Sequence, residues 1–444
     1  MSEAWTIVCD TAELAVECAH RASELGLPAE PQVCASPVQE ANDLLTAGRR
    51  VAVALEQVPD PDALVRLSAP CAPGPLPLLV VGGGTEGGSA VDLARDLGLA
   101  SVTEVRPLMA VVALRHLEAP EPWAAAARGL APLDRARLEP GLLTSTTRPA
   151  GQWVAIEAGL LGHSMNDAPA VPVGEPRDVV EALTALRKCE GVSRAPMPAV
   201  EGVDPQAVLD VIFGPRRELS DPASKAALAH YDLPMPTEEL CTSASRAAGE
   251  AARIGFPVRI ALASPDLRVG DHPDLAIDGV DNAARVRDVF RQLMALGASR
   301  LPGARLLGVT VSATTPAHAL LQVCVTPLPQ DLALCEIGFA DPHGLAARDR
   351  IHTVLPATPA RLEHALGRLR GSPLLLEGDA ADRRRAVSAL GDVLLRLAAF
   401  VHEWRTEVDS VTLDPLALLV GGGIEVREAC VAVSDAFERS LAAR

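Results

Sequence analysis

Three glycines, Gly82, Gly84 and Gly87, follow the apolar run PLLVV and precede the helical pattern SAVDLARDLG. Their G-x-G-x-x-G spacing lets a backbone approach a pyrophosphate at a helix N-terminus, which makes them candidate nucleotide-binding residues. A plain glycine-rich turn is the competing reading, because the motif follows a late strand rather than the first of its domain. His163, in GLLGHSMND, is a second residue able to do chemistry, but a lone His beside a glycine suits a structural or surface place better than catalysis. The nine cysteines are odd in number and scattered singly, without a Cys-x-x-Cys pair. Zinc needs clustered ligands, so these thiols read mostly as small buried hydrophobes.

The elements that must position these residues alternate between strand-like and helix-like patterns. From residue 1 to 118, WTIVC, RVAVAL, PLLVV and SVTEV read as strands, and AELAVECAHRASELG, PVQEANDLLTAG and SAVDLARDLG as helices. That alternation predicts βαβ units and a five-stranded parallel sheet of flavodoxin-like form. The same segment resembles a receiver domain, with Arg106-Pro107 standing where receivers carry Lys-Pro. Glu56 occupies the phospho-acceptor position and Asp10 lacks an acidic partner, so no phosphorylation site is expected there. Residues 119–150, rich in Pro, Ala and Arg, read as a linker. Residues 151–200 form a further α/β segment, with WVAIEAGLL, PAVPV and the amphipathic helix DVVEALTALRKCEG, and residues 201–444 a last domain.

Composition narrows the function classes. The 444 residues are 48% hydrophobic and 22% charged, ample for two or three cores. A net charge of −17 and 2% aromatics argue against nucleic-acid binding, which wants basic stripes and stacking rings. The run Arg383-Arg384-Arg385 reads as a solvated helix face. No stretch offers the ~18 apolar residues of a membrane span. MSEAWTIVCD lacks the basic start of a secretory signal, so a cytoplasmic protein is expected.

The stretch 219–267 has the most specific pattern. LSDPASKAALAHYDL opens with Ser220 and Asp221 ahead of Pro222, a cap-then-proline helix start. A strand-like step through Pro234 and Pro236, an Ala-rich helix stopped by Gly255 and the buried strand FPVRIALAS follow. That order, with YDLPMP, GFPVRI followed by SPD, and LRGSPLL at Leu369 to Leu375, resembles the ATP-grasp domain of the ADP-forming acyl-CoA synthetases. The acetate–CoA and succinyl-CoA ligases belong to that family, and the resemblance covers about residues 158–440. It implies an α/β chain with a flavodoxin-like part followed by an ATP-grasp domain. It also implies ATP or ADP, Mg²⁺ and CoA as ligands.

The resemblance also assigns positions. The family's strand lysine falls on Ala261, and Arg259, two residues earlier on the same strand face, is the candidate phosphate-binding substitute; an exposed edge arginine is the other reading. The family's histidine falls on Val269, leaving His272 as the nearby catalytic candidate. The glycine pair falls on Asp274 and Leu275, and the loop glutamate on Leu345. The magnesium signature Leu-Asp-Ile-Asn-Pro-Leu becomes Val411 to Leu416, with Thr412 for the aspartate and Asp414 as the remaining metal candidate. Asp349 survives in ARDRI. A hydrophobic skeleton kept while polar positions change implies a non-catalytic member that is a structural or regulatory partner of an active synthetase or a signalling protein. A working acetate–CoA ligase subunit and a signalling module with a receiver-like start are the alternatives, and self-association is a further expectation. Removal of Arg259 is expected to leave folding almost unchanged.

Overall fold

A computed structural model describes residues 4–68, 76–80, 85–116, 154–155, 171–172, 178, 181–182, 185–186, 195–198, 200, 202–328, 331–340, 349–375, 380–420 and 422–442. The chain divides into two compact units, Met1–Val192 and Ser193–Arg444.

The first unit alternates β1 (Trp5–Cys9), α1 (Ala12–Glu24), β2 (Ala29–Val33), α2 (Pro37–Thr46), β3 (Val51–Leu55), α3 (Pro61–Ser68), β4 (Pro77–Val80), α4 (Thr85–Asp96), β5 (Ala100–Val102) and α5 (Val105–His116). The strands pair in parallel in the order β2-β1-β3-β4-β5, the flavodoxin-like order expected from the alternation. Every residue of β1, β3 and β4 is buried, because helices cover both faces of a parallel sheet. Ala182, Ala185 and Leu186 join this core. Two short strands, β6 (Val154–Ala155) and β7 (Val171–Pro172), pair in parallel. The linker expected over 119–150 and His163 lie outside the described residues.

The second unit opens with α6 (Pro205–Ile212), β8 (Arg217–Glu218) and α7 (Asp221–Leu228). It continues through β9 (Glu238–Cys241), α8 (Ala244–Ile254), β10 (Val258–Ala263), β11 (Ala276–Val280), α9 (Ala283–Arg300) and β12 (Gly308–Ala313). The strand expected through Pro234 and Pro236 begins at Glu238 instead, since prolines cannot donate to a ladder. These four strands form one antiparallel sheet, order β11-β10-β12-β9, with a core shared by α8 and α9. The Ser243 side chain caps α8, and Gly255 ends it at φ +101°, the positive angle the sequence pattern anticipates. Asn282 caps α9, whose buried face is Val286, Val289, Leu293 and Gly297.

The remaining elements are β13 (Ala317–Leu328), β14 (Leu332–Phe339), β15 (Arg350–Leu355), α10 (Pro359–Leu366), α11 (Ser372–Leu375), α12 (Ala380–Glu403), β16 (Val408–Leu419), β17 (Ile424–Val426), β18 (Ala429–Val433) and α13 (Ala436–Ala442). Their strands form a second antiparallel sheet, order β15-β14-β13-β16-β18-β8, with β17 paired to β16. Leu321, Val323 and Val325 of β13, with Val411 and Leu413 of β16, face the core against α12. The alternate residues, Gln322, Cys324, Thr412 and Asp414, therefore lie on the opposite face.

Candidate functional site

A cavity of ≈ 30 Å³, room for about two waters, lies between the two sheets of the second unit. Leu262 and Ser264 come from β10 and its end, Thr412 and Asp414 from β16, and Glu428 and Cys430 from the last strands, with Asp221 from α7. Strand register builds its floor. Cys324 is opposite Thr412, and Thr412 is opposite Cys430, so three strands place one polar row on the face away from the core.

Asp414 sits on that floor and accepts a 2.6 Å hydrogen bond from Gln322 Nε2 at Oδ2. Burial pushes its carboxyl up to about 6, with Asp271 adding repulsion, against the stabilising Gln322 bond. Its carboxylate packs against the backbone of Gly270, where a β-carbon would collide with it. Thr412 donates to Cys324 Sγ at 3.6 Å. Arg268, bonded to Asp271 at 2.9 Å, is the cation among the described lining residues, facing the carboxylates of Asp221, Asp414 and Glu428.

Behind the cavity lies a buried ionic network that the sequence reading missed. Lys225 Nζ donates to Glu238 Oε2 at 2.6 Å and to the Arg427 carbonyl at 2.7 Å, and stands 3.1 Å from Asp221 Oδ2. Arg259 donates to Glu428 Oε1 and to Asp278 Oδ2, each at 3.1 Å. Helix α7 is held in place because Asp221 Oδ1 accepts from the Ala429 N–H at 2.8 Å and Ser224 Oγ from the Val431 N–H at 3.0 Å. These bonds satisfy strand-edge groups of β18 beyond the two-residue reach of β8. Asp221 thus anchors a strand as well as opening a helix.

Burial raises the carboxyls of Asp221 and Glu238, and lifts Glu428 to about 8 with Asp221 repelling it further. Burial alone would pull the Lys225 ammonium down, but Asp221, Glu238 and Glu428 together raise it. The only sequence signal for Lys225 is a lysine on the buried stripe of an otherwise Ala-rich helix. Its partners at 238 and 428 are too distant in the chain for spacing to reveal them.

The expected site residues fall in different places. Arg259 is 8% exposed on β10, an interior strand between β11 and β12, which corrects the edge-arginine reading. Because two carboxylates depend on it, its loss is here expected to destabilise the fold. Val269 is a buried core residue. His272 is partly exposed, just before the 3₁₀ turn Pro273–Leu275, and is not among the residues lining the cavity. Asp349 accepts from the Arg370 and Gly371 N–H groups, each at 2.8 Å, and so shapes a turn. Leu345 lies outside the described residues, as do Gly82 and Gly84, whereas Gly87 is in the first turn of α4. Asp10 accepts from the Glu56 and Gln57 N–H groups and ties the ends of β1 and β3 together. Among the described residues no group of three His, Cys, Asp or Glu is placed to hold a metal, and no helix is long and apolar enough to cross a membrane.

Among the described residues, the groups around the cavity offer few free donors to a nucleotide with magnesium. Mg²⁺ wants near-octahedral oxygen ligands, commonly one or two carboxylates plus phosphate oxygens. Here Thr412 donates to a thiol and Asp414 is bonded to Gln322. Lys225 and Arg259, two buried cations behind the cavity, are engaged by protein carboxylates.

Comparison with known proteins places these features in context. A family model described as an ATP-grasp domain matches residues 211–433. The β subunit of ADP-forming acetate–CoA ligase II from Pyrococcus furiosus is 20% identical over 207 residues, 47% of this chain and 87% of the relative. The corresponding β subunit of ligase I is 22% identical over 201 residues, 45% of this chain and 85% of the relative. Among solved structures, a Pyrococcus horikoshii Ot3 protein aligns over 52% of this chain and 98% of its own, at 20% identity and a TM-score of 0.45. The dinucleotide-forming acetyl-coenzyme A synthetase 1 of Ca. Korarchaeum cryptofilum, crystallised with coenzyme A and Ca-AMPCP, aligns over 49% and 94%, at 22% identity and 0.43.

Proposed function

The chain belongs to the ATP-grasp domain family, related to ADP-forming acetate–CoA ligase β subunits, and we propose that it is a non-catalytic member acting as a partner of another protein. One observation carries this reading. Among the described residues the cavity is faced by three acidic side chains and one cation, Arg268, while Lys225 and Arg259 are held by carboxylates behind it. A polyphosphate placed there would meet like charge at close range, and the cations that could offset it would first have to leave buried ion pairs. Val269 at the histidine position removes the side chain that would carry a phosphoryl group, and His272 lies off the cavity. The relatives are named as subunits, which supports a companion synthetase subunit as the partner.

Calorimetric titration with ATP, with and without Mg²⁺, tests the reading. No saturable, Mg²⁺-dependent binding is expected, and labelled ATP should leave no acid-labile phosphate on the chain. Tight binding that requires Mg²⁺ would overturn it. Label that appears on the wild type and vanishes in His272→Ala would instead identify an active enzyme with a displaced histidine.

A further inference from the structure

The network behind the cavity joins two sheets that the chain itself connects only at 232–237 and 314–316. Each side contributes. Glu238 on β9, Arg259 on β10 and Asp278 on β11 belong to the four-stranded sheet, and Asp221 and Lys225 on α7 with Glu428 before β18 belong to the larger body. Two bonds among them cross between the two, Lys225 to Glu238 and Arg259 to Glu428, while Arg259 to Asp278 stays within the four-stranded sheet. Arg268 to Glu218 at 3.7 Å adds a third crossing. Both chain connections are tied down too. Pro234 O accepts from the Val426 N–H at 2.9 Å, and the Thr315 hydroxyl donates to Glu425 Oε2 at 3.0 Å while Arg427 donates to the Thr315 carbonyl.

Charge counting exposes an imbalance. Asp221, Glu238 and Glu428 are three buried or nearly buried carboxylates facing two buried cations, Lys225 and Arg259, with Asp278 half exposed beyond Arg259, while the neighbouring Arg427 is balanced by Glu425 and the part-exposed Arg268 by Asp271. Asp414 also approaches, its backbone N–H donating to the Glu428 carbonyl at 3.1 Å. A surplus charge out of water is costly, so the closed arrangement holds best with one proton among the three carboxyls. We propose that this network is a proton-dependent bolt that holds the two sheets closed over the cavity and releases them when its surplus carboxyl ionises. Burial places that ionisation on Glu428 at about 8, and the charge count requires it on some member of the set. This goes beyond the non-catalytic reading and does not depend on it, because opening is read without nucleotide.

Cys430 is a built-in reporter, 8% exposed and lining the cavity beside Glu428. Cys34, partly exposed in the first unit, and Cys335, fully buried under the larger sheet, serve as references. The full chain is treated with N-ethylmaleimide at about pH 6.5 and about pH 9, and each cysteine is quantified by peptide mass spectrometry. The Cys430-to-Cys34 labelling ratio cancels the common rise in thiolate. That ratio should rise on the order of ten-fold in the wild type and stay nearly flat in Glu428→Gln, whose amide copies the protonated carboxyl. Asp221→Asn, which also removes the surplus charge and keeps the acceptor for the Ala429 N–H, is expected to behave alike and replaces Glu428→Gln should that variant not fold. A flat ratio in the wild type overturns the proposal, as does a wild-type-like rise in either variant. Labelling of Cys335 in step with Cys430 overturns it too, since that marks general unfolding; the wild-type arm decides the matter even if neither variant folds.

Discussion

Replacing Lys225 by methionine tests the network most directly. The side chain is 6% exposed and engages Asp221 and Glu238 within hydrogen-bonding distance, with Glu428 acting on it electrostatically. Methionine keeps the apolar stem and removes the ammonium, so packing changes little. Three carboxyls would then face Arg259 alone. Removing one partner of a buried ion pair destabilises by about 3–5 kcal/mol. For a unit of about 250 residues, each kcal/mol moves the midpoint by roughly 2–4 °C, so a fall of roughly 6–20 °C is expected at neutral pH. Acid should rescue the variant. Burial raises Asp221 and Glu238, so acid favours their protonated forms, the repulsion weakens and the deficit should be smaller at about pH 5. Differential scanning calorimetry of both proteins at the two pH values measures this. A variant within about 2 °C of wild type at neutral pH refutes the argument, and so does a deficit of equal size at pH 5.

Three further outcomes follow from the same geometry. Gly255→Val should lower the second unit's midpoint through backbone strain alone, by about 1–2 kcal/mol, because φ is +101° and no atom lies within 4 Å of the added β-carbon. Full-length Gly255→Ala melting as high as wild type would contradict this. Stability should peak on the acid side of neutrality. Glu428 and Asp414 are raised to about 8 and about 6 from ordinary values of 4.5 and 3.8, so the fold binds their protons more tightly than the unfolded chain and loses stability as pH rises through those windows. Glu336, lowered to about 2 first by His352 and also by Arg350, works the other way and loses its contribution as pH falls from about 4.5 toward 2. Urea midpoints across pH 3–9 would show the maximum, and one at pH 8 or above would refute the assignment. Finally, Gly270→Ala and Asp414→Ala should each lower the midpoint, whereas the double variant should lose less than their sum, since the second change removes the atoms that the new β-carbon strikes. Strict additivity would show that the contact does not matter.

By itself the sequence determined the elements and their order. Parallel βαβ alternation over the first 116 residues, the helix start at Ser220 to Pro222 and the stop at Gly255 are local signals, because helix ends and period are set by residues within one turn or one strand of each other. The motifs at 219–267 and 369–375 likewise suffice to point to the ATP-grasp family. What Arg259 does was not legible. A strand position says which face a side chain shares, but not whether that face meets solvent, a ligand or another sheet. Only the tertiary structure decided it, by bringing Glu428 across 169 residues to within 3.1 Å. The same holds for Lys225, 202 residues from the Arg427 carbonyl it bonds. Charge pairing acts over ångströms in space, and no periodicity along the chain records which distant strands will supply the partner.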